Sequence, residues 1–162
     1  MNHARPETTD TTRLAFQATV HCLTGCAIGE ILGLVIATAL NLHDLPSILL
    51  AIVLAFVFGY GLTVQPLVSG GLAVRQALRL ALAADTVSIV VMEVMDNAIV
   101  IAVPGAMAAG LTDGLFWGSL ALSLMVAFIV AFPVNRWLIA RGLGHAVVHA
   151  QHQSGGGHPA AD

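Results

Sequence analysis

Four apolar segments, each long enough to cross a bilayer, divide the chain, and its six arginines gather at alternate ends of them. The segments run from about Leu14 to Leu42, Leu45 to Val64, Ala77 to Val103 and Leu115 to Ile139. A span needs about 20 apolar residues. The first and third exceed that, which predicts tilt or extension beyond the lipid. Charged residues make up 9% of the chain and hydrophobic ones 57%, whereas a soluble domain carries about 25% charged residues. The expected fold is therefore all-α: a polytopic membrane protein with four transmembrane helices. A polar N-terminal segment (1–13) precedes the helical domain (14–141), and a His/Gly-rich tail (142–162) follows it. The N-terminal stretch mixes both charge signs and lacks a cleavage-site pattern, so no cleaved signal peptide is expected.

The arginines set the orientation. Arg5 and Arg13 precede the first segment, Arg75 and Arg79 lie between the second and third, and Arg136 and Arg141 close the fourth. The other two connections hold none and carry Asp44 and Asp113. By the positive-inside rule both termini are cytoplasmic. Local signals add detail. Asp44 is placed to cap the second helix, with Pro46 in its first turn. Pro66 and Ser69-Gly70-Gly71 mark a cytoplasmic loop, Pro104-Gly105 ends the third helix, and Pro133 predicts a kink or early stop in the fourth. Trp117 and Trp137 flank the last span as interfacial aromatics. There is no basic run or aromatic-basic interleaving, so no nucleic-acid partner is expected. No nucleophile–base pair, nucleotide loop or zinc-protease motif appears, and the chain is read as no enzyme.

Chemistry lies inside the spans. On a helical wheel, His21, Cys22, Cys26 and Glu30 share one half of the first segment with the ridge Gly25-x3-Gly29-x3-Gly33. Phe16, Val20, Leu23, Ala27, Ile31 and Leu34 fill the lipid-facing half. Small residues at four-residue spacing let helix backbones approach closely. In the third segment, Asp85, Ser88, Met92, Glu93 and Asp96 face opposite Val87, Val90, Val91, Val94, Ala98 and Ile101. Acids in lipid at mid-depth cost several kcal/mol. The second and fourth spans hold no internal Lys, Arg or His, so the countercharge is a proton or a metal ion. Asn97 reads as helix glue.

The first and third spans run outward in the same sense. At about 1.5 Å per residue, Cys22 matches Asp85 in depth, Glu30 matches Met92 and Glu93, and Asp96 lies further out. If these spans touch, the side chains form a ladder for a cation. Cys and Met select Cu(I), and carboxylates widen the choice to Zn(II). The expected metal ligands are thus His21, Cys22, Cys26, Glu30, Asp85, Met92, Glu93 and Asp96. Cys22 and Cys26 are not expected to form a disulfide. In the tail, His145, His149 and His152 have i, i+4, i+7 spacing and form a secondary metal-gathering site.

The strings His21-Cys22-x-x-Gly25-Cys26-x-x-Gly29-Glu30 and Met92-Glu93-x-Met95-Asp96-Asn97, followed by Pro104-Gly105-Ala106-Met107, resemble a bacterial domain-of-unknown-function family over about residues 14–145. Its members are small four-span inner-membrane proteins. The resemblance implies that fold and a bacterial inner-membrane location, and it points to copper or other metal handling without a settled activity. The expected function is membrane metal-cation binding or transport, with a soft ion such as Cu(I) favoured. Rival readings are a proton- or cation-coupled channel run by the carboxylates, and a non-transport assembly subunit for a membrane metalloenzyme. A haem site would need His21 from two chains. Four helices are few for a complete pathway, so a homo-oligomer is expected alongside the lipid bilayer and the metal ion as partners.

Overall fold

The structure, a computed structural model, describes residues 7–141. It is built of four α-helices: α1 (Glu7–Ala39), α2 (Asp44–Ser69), α3 (Val74–Ala102) and α4 (Gly114–Ala140). One 3-10 turn, Ala106–Ala108, lies between α3 and α4. No strand occurs among the described residues. The tail residues His145, His149 and His152 lie outside them. Helices α1 (from Thr11), α2 and α4 are long and apolar enough to cross a membrane. In lipid a backbone must satisfy its own polar groups, and a helix does so within one segment.

Short connections make consecutive helices antiparallel neighbours. Their endings are written in the sequence. Asn41 adopts φ 52°, while Leu42 N–H donates to Ala37 O at 2.9 Å and Asn41 N–H to Thr38 O at 3.2 Å. This is a Schellman closure, and Asn tolerates the left-handed conformation it needs. At the end of α2, Gly71 takes φ 96°. Leu72 N–H there donates to Leu67 O at 3.1 Å, and the two leucines pack together.

Four local expectations differ from the structure. Helix α1 begins at Glu7, inside the polar segment (1–13) expected to precede the helical domain. Asp44 lies in the first turn of α2 and does not cap it, for the N-cap is His43 without a side-chain bond. Pro66 lies inside α2, which continues to Ser69. Helix α4 runs through Pro133 to Ala140, so of the kink or early stop expected there the early stop does not occur. Each proline removes one intrahelical donor, which helices of this type tolerate.

The helices form a ring in which α1 and α3 each pack against α2 and α4, and α1 and α3 also meet across the diagonal. The packing is inside-out relative to a soluble bundle. Large apolar side chains such as Phe16, Val57, Val94 and Ile129 point outward and are exposed. Small ones such as Ala55, Ala81, Ala127 and Ala131 fill the interior. The glycine ridge of α1 lies directly on a matching row of α2. A Cβ on Gly25 would fall 2.7 Å from Gly59 Cα, one on Gly33 2.7 Å from Ala51 Cα, and one on Gly29 would run into the Ala55 backbone. The α1–α2 interface is therefore backbone against backbone, as the spacing predicts.

Candidate cation site

Holding α1 tightly against α2 turns the adjoining face of α1 toward α3. That face carries Cys22, Cys26 and Glu30. On α3, Asp85, Ser88, Met92, Glu93 and Asp96 are all buried, and the outward positions Val87, Val90, Val94, Ala98 and Ile101 are exposed. The titratable faces turn inward and the two helices meet, as the wheels predict, but Leu23 and Val91, expected to face lipid, pack against the buried cluster, and Leu34 lines an interior cavity, because the bundle encloses more than half of each helix.

The contacts form a stack. Near the arginine-bearing end, Cys22 Sγ donates to Asp85 Oδ1 at 3.8 Å, and Ser88 also reaches the Cys22 thiol. Asp85 takes a further hydrogen bond from Thr63 of α2. The Thr63 hydroxyl stands 2.9 Å from His21 Nε2. His21 thus reaches Asp85 through Thr63 and is turned toward α2. One turn further along α1, Cys26 interacts with Glu93. One more turn along, Glu30 interacts with Asp96 and Glu93, and Asp96 with Ser123 of α4. Depth matching thus pairs Cys22 with Asp85 as expected, but Glu30 meets Asp96 as well as Glu93. Asp96 thus belongs to the same layer as Glu30 and Glu93 and not further out.

Cys22, Cys26 and Met92 also belong to one buried cluster, closed by Ala55, Ile89, Ala127 and Ala131. Three sulfur-bearing side chains thus share one buried cluster, in which Cys22 meets Asp85 and Cys26 interacts with Glu93. Both cysteines are free thiols, as the helical spacing requires. Among the described residues, no three His, Cys, Asp or Glu side chains converge as a ready-made metal centre. The acids instead run as pairs and contacts between α1 and α3.

The electrostatics are one-sided. Arg13, Arg75, Arg79, Arg136 and Arg141 are all exposed, so no guanidinium neutralises the interior. Glu93 and Asp96 are 5% and 2% exposed. None of their four carboxyl oxygens has a hydrogen bond of good geometry. A buried charge without a partner is costly, so these oxygens require protons or cations.

A second polar cluster was not anticipated. The Asn135 amide on α4 donates to Thr19 Oγ1 of α1 at 2.9 Å and to Ser88 Oγ of α3 at 3.0 Å. Thr19 in turn donates to Ala15 O at 2.7 Å. This amide ties three helices together. A search for charges in the second and fourth spans passes over Asn135, Thr63 and Ser123. The available signal was an amide or hydroxyl at a position where lipid offers no partner. Asn97, by contrast, donates to Glu93 O of its own helix at 2.9 Å, and so does not bond helices together in the way expected.

No curated protein and no solved structure matches the chain. A family match covers residues 11–144, the span that contains all four helices from Thr11 onward and every interior side chain named above, so the chain belongs to the family described as "Domain of unknown function (DUF4396)".

Proposed function

We propose that the protein binds and passes a soft metal cation, Cu(I) foremost, through a four-span bundle in the bacterial inner membrane. The observation that carries this reading is the buried packing of Cys22, Cys26 and Met92 beside Asp85 and Glu93. Thiolates with a thioether favour Cu(I), and the carboxylates leave Zn(II) as the alternative. Two sulfur ligands and a third weaker one suffice for a cation that has to leave again. Asp85 receives the proton that Cys22 releases on binding. His21 acts through Thr63 by holding Asp85 in place. Glu93, Asp96 and Glu30 carry the ion onward.

In this reading α3 also crosses the bilayer. Its 29 residues extend about 44 Å at helical rise, more than the hydrocarbon core. Its charged interior residues face protein while valines and Ile101 face outward. All described arginines then lie at one end of the bundle, so both termini are cytoplasmic. The tail histidines His145, His149 and His152 would gather metal on that side.

Elemental analysis of protein purified from copper-supplemented cells tests the reading. Near-stoichiometric copper in the wild type, lost in Cys22→Ser/Cys26→Ser, supports it. Equal copper in both overturns it.

The unbonded oxygens of Glu93 and Asp96 favour a second reading, a proton or hard-cation path in which the thiols only fill space. Proteoliposome flux that survives loss of both thiols but fails with Glu93→Gln would select it.

A further inference from the structure

At the end of the bundle away from the arginines lies a cavity of about 90 Å³, room for several waters. All four helices and the Ala106–Ala108 turn line it. It therefore lies at the end of the bundle, between all four helices. Glu30 and Asn97 border it, and so do Ser119 and Met107, the latter on the turn that crosses the bundle end. Gly105 takes φ 83° to start that turn, and Ala106 within it and Ala109 after it are buried.

From Glu30 the electrostatic interactions run inward: Glu30 with Asp96 and Glu93, then Glu93 with Cys26. Toward the opposite end the helices are drawn close. The Asn135 amide there draws α1, α3 and α4 together, and Ala127 and Ala131 are fully buried.

We propose that this cavity is the vestibule through which a soft cation passes between the Asp44/Asp113 face and the sulfur cluster, with the Met107 thioether and the Glu30 carboxylate as its contacts there. The proposal rests on the cation reading above and adds the side of access and two residues that handle the ion on that side. Met107 is a soft neutral donor that holds Cu(I) weakly. Glu30 supplies the charge that draws the ion inward. In this proposal the cavity serves the Asp44/Asp113 face, while the Asn135 contacts hold α1, α3 and α4 together toward the other.

Two measurements separate the vestibule from the metal. In Ser119→Cys, a near-isosteric change, a small membrane-impermeant cationic thiol reagent is added to sealed vesicles. The introduced thiol reacts about tenfold or more faster than the buried Cys22 and Cys26, and only from the Asp44/Asp113 face. An introduced thiol as slow as Cys22, or one labelled from the opposite face, overturns the vestibule. In detergent, Met107→Leu slows loading of Cu(I) from a weak chelator by about fivefold and leaves the final stoichiometry unchanged. An unchanged loading rate overturns the Met107 assignment. If wild type takes up no Cu(I), the cation reading falls, and the labelling result still decides the vestibule.

Discussion

Cys22 Sγ and Asp85 Oδ1 meet at 3.8 Å between helices that face each other across the diagonal of the bundle. That contact ties two rows of side chains, separated by 63 positions in the chain, into one interior. It exists because the glycines beside Cys22 let α1 sink onto α2 and turn the thiol inward. The packing ridge and the chemistry are thus adjacent stripes of one helix, and the first positions the second.

Gly29 tests that dependence. A Cβ there would enter the backbone of Ala55, whereas one at Gly61 meets nothing within 4 Å. Gly29→Ala is expected to destabilise the bundle by about 1–3 kcal/mol. Gly61→Ala should stay within about 0.5 kcal/mol of wild type. Denaturant unfolding in detergent micelles reads both. Equal effects at the two sites would refute backbone-to-backbone packing.

Asn135 holds three helices through two hydrogen bonds. Asn135→Ala should cost about 1–2 kcal/mol, in the upper range for polar contacts between membrane helices. Ser88→Ala combined with it should show a coupling of about 0.5 kcal/mol or more. A double-mutant cycle by unfolding measures this. Additive single effects would mean that Asn135 does not reach Ser88.

Asp96 is buried with both oxygens lacking a well-formed hydrogen bond and with Glu30 beside it. Replacing it by an amide removes negative charge and adds a donor that Glu30 can accept. Asp96→Asn is therefore expected to stabilise the metal-free protein by about 1 kcal/mol and to reduce cation passage into proteoliposomes. Unfolding in the presence of chelator checks the first effect and a flux assay the second. Lower stability with unchanged flux would assign Asp96 a purely structural role.

Much of this architecture could be read in the sequence because lipid simplifies the rules. Long apolar segments gave the four helices, and the 3.6-residue period separated Val87, Val90 and Val94 from Asp85, Met92 and Asp96. The glycine spacing located the face of α1 that packs, but not its partner, since nothing in Gly25-x3-Gly29-x3-Gly33 names α2. The meeting of α1 and α3 across the diagonal depends on all four helices closing into a ring, which is a property of tertiary packing. Neutral polar groups were the weakest signal. Asn135 and Thr63 are ordinary in composition and acquire a role only once Thr19, Ser88, His21 and Asp85 are brought beside them. Prolines misled for the opposite reason. Pro66 and Pro133 break helices in water, but a lipid-facing helix loses more by stopping than by forgoing one hydrogen bond.

The most direct test of the account is competitive titration of Cu(I) into purified protein in detergent, comparing wild type with Cys22→Ser/Cys26→Ser. The account predicts tight binding by wild type, weakened by about a hundredfold or more in the double variant, with the variant still folded. Equal stoichiometry and affinity in the two proteins, for Zn(II) as well as Cu(I), would contradict it.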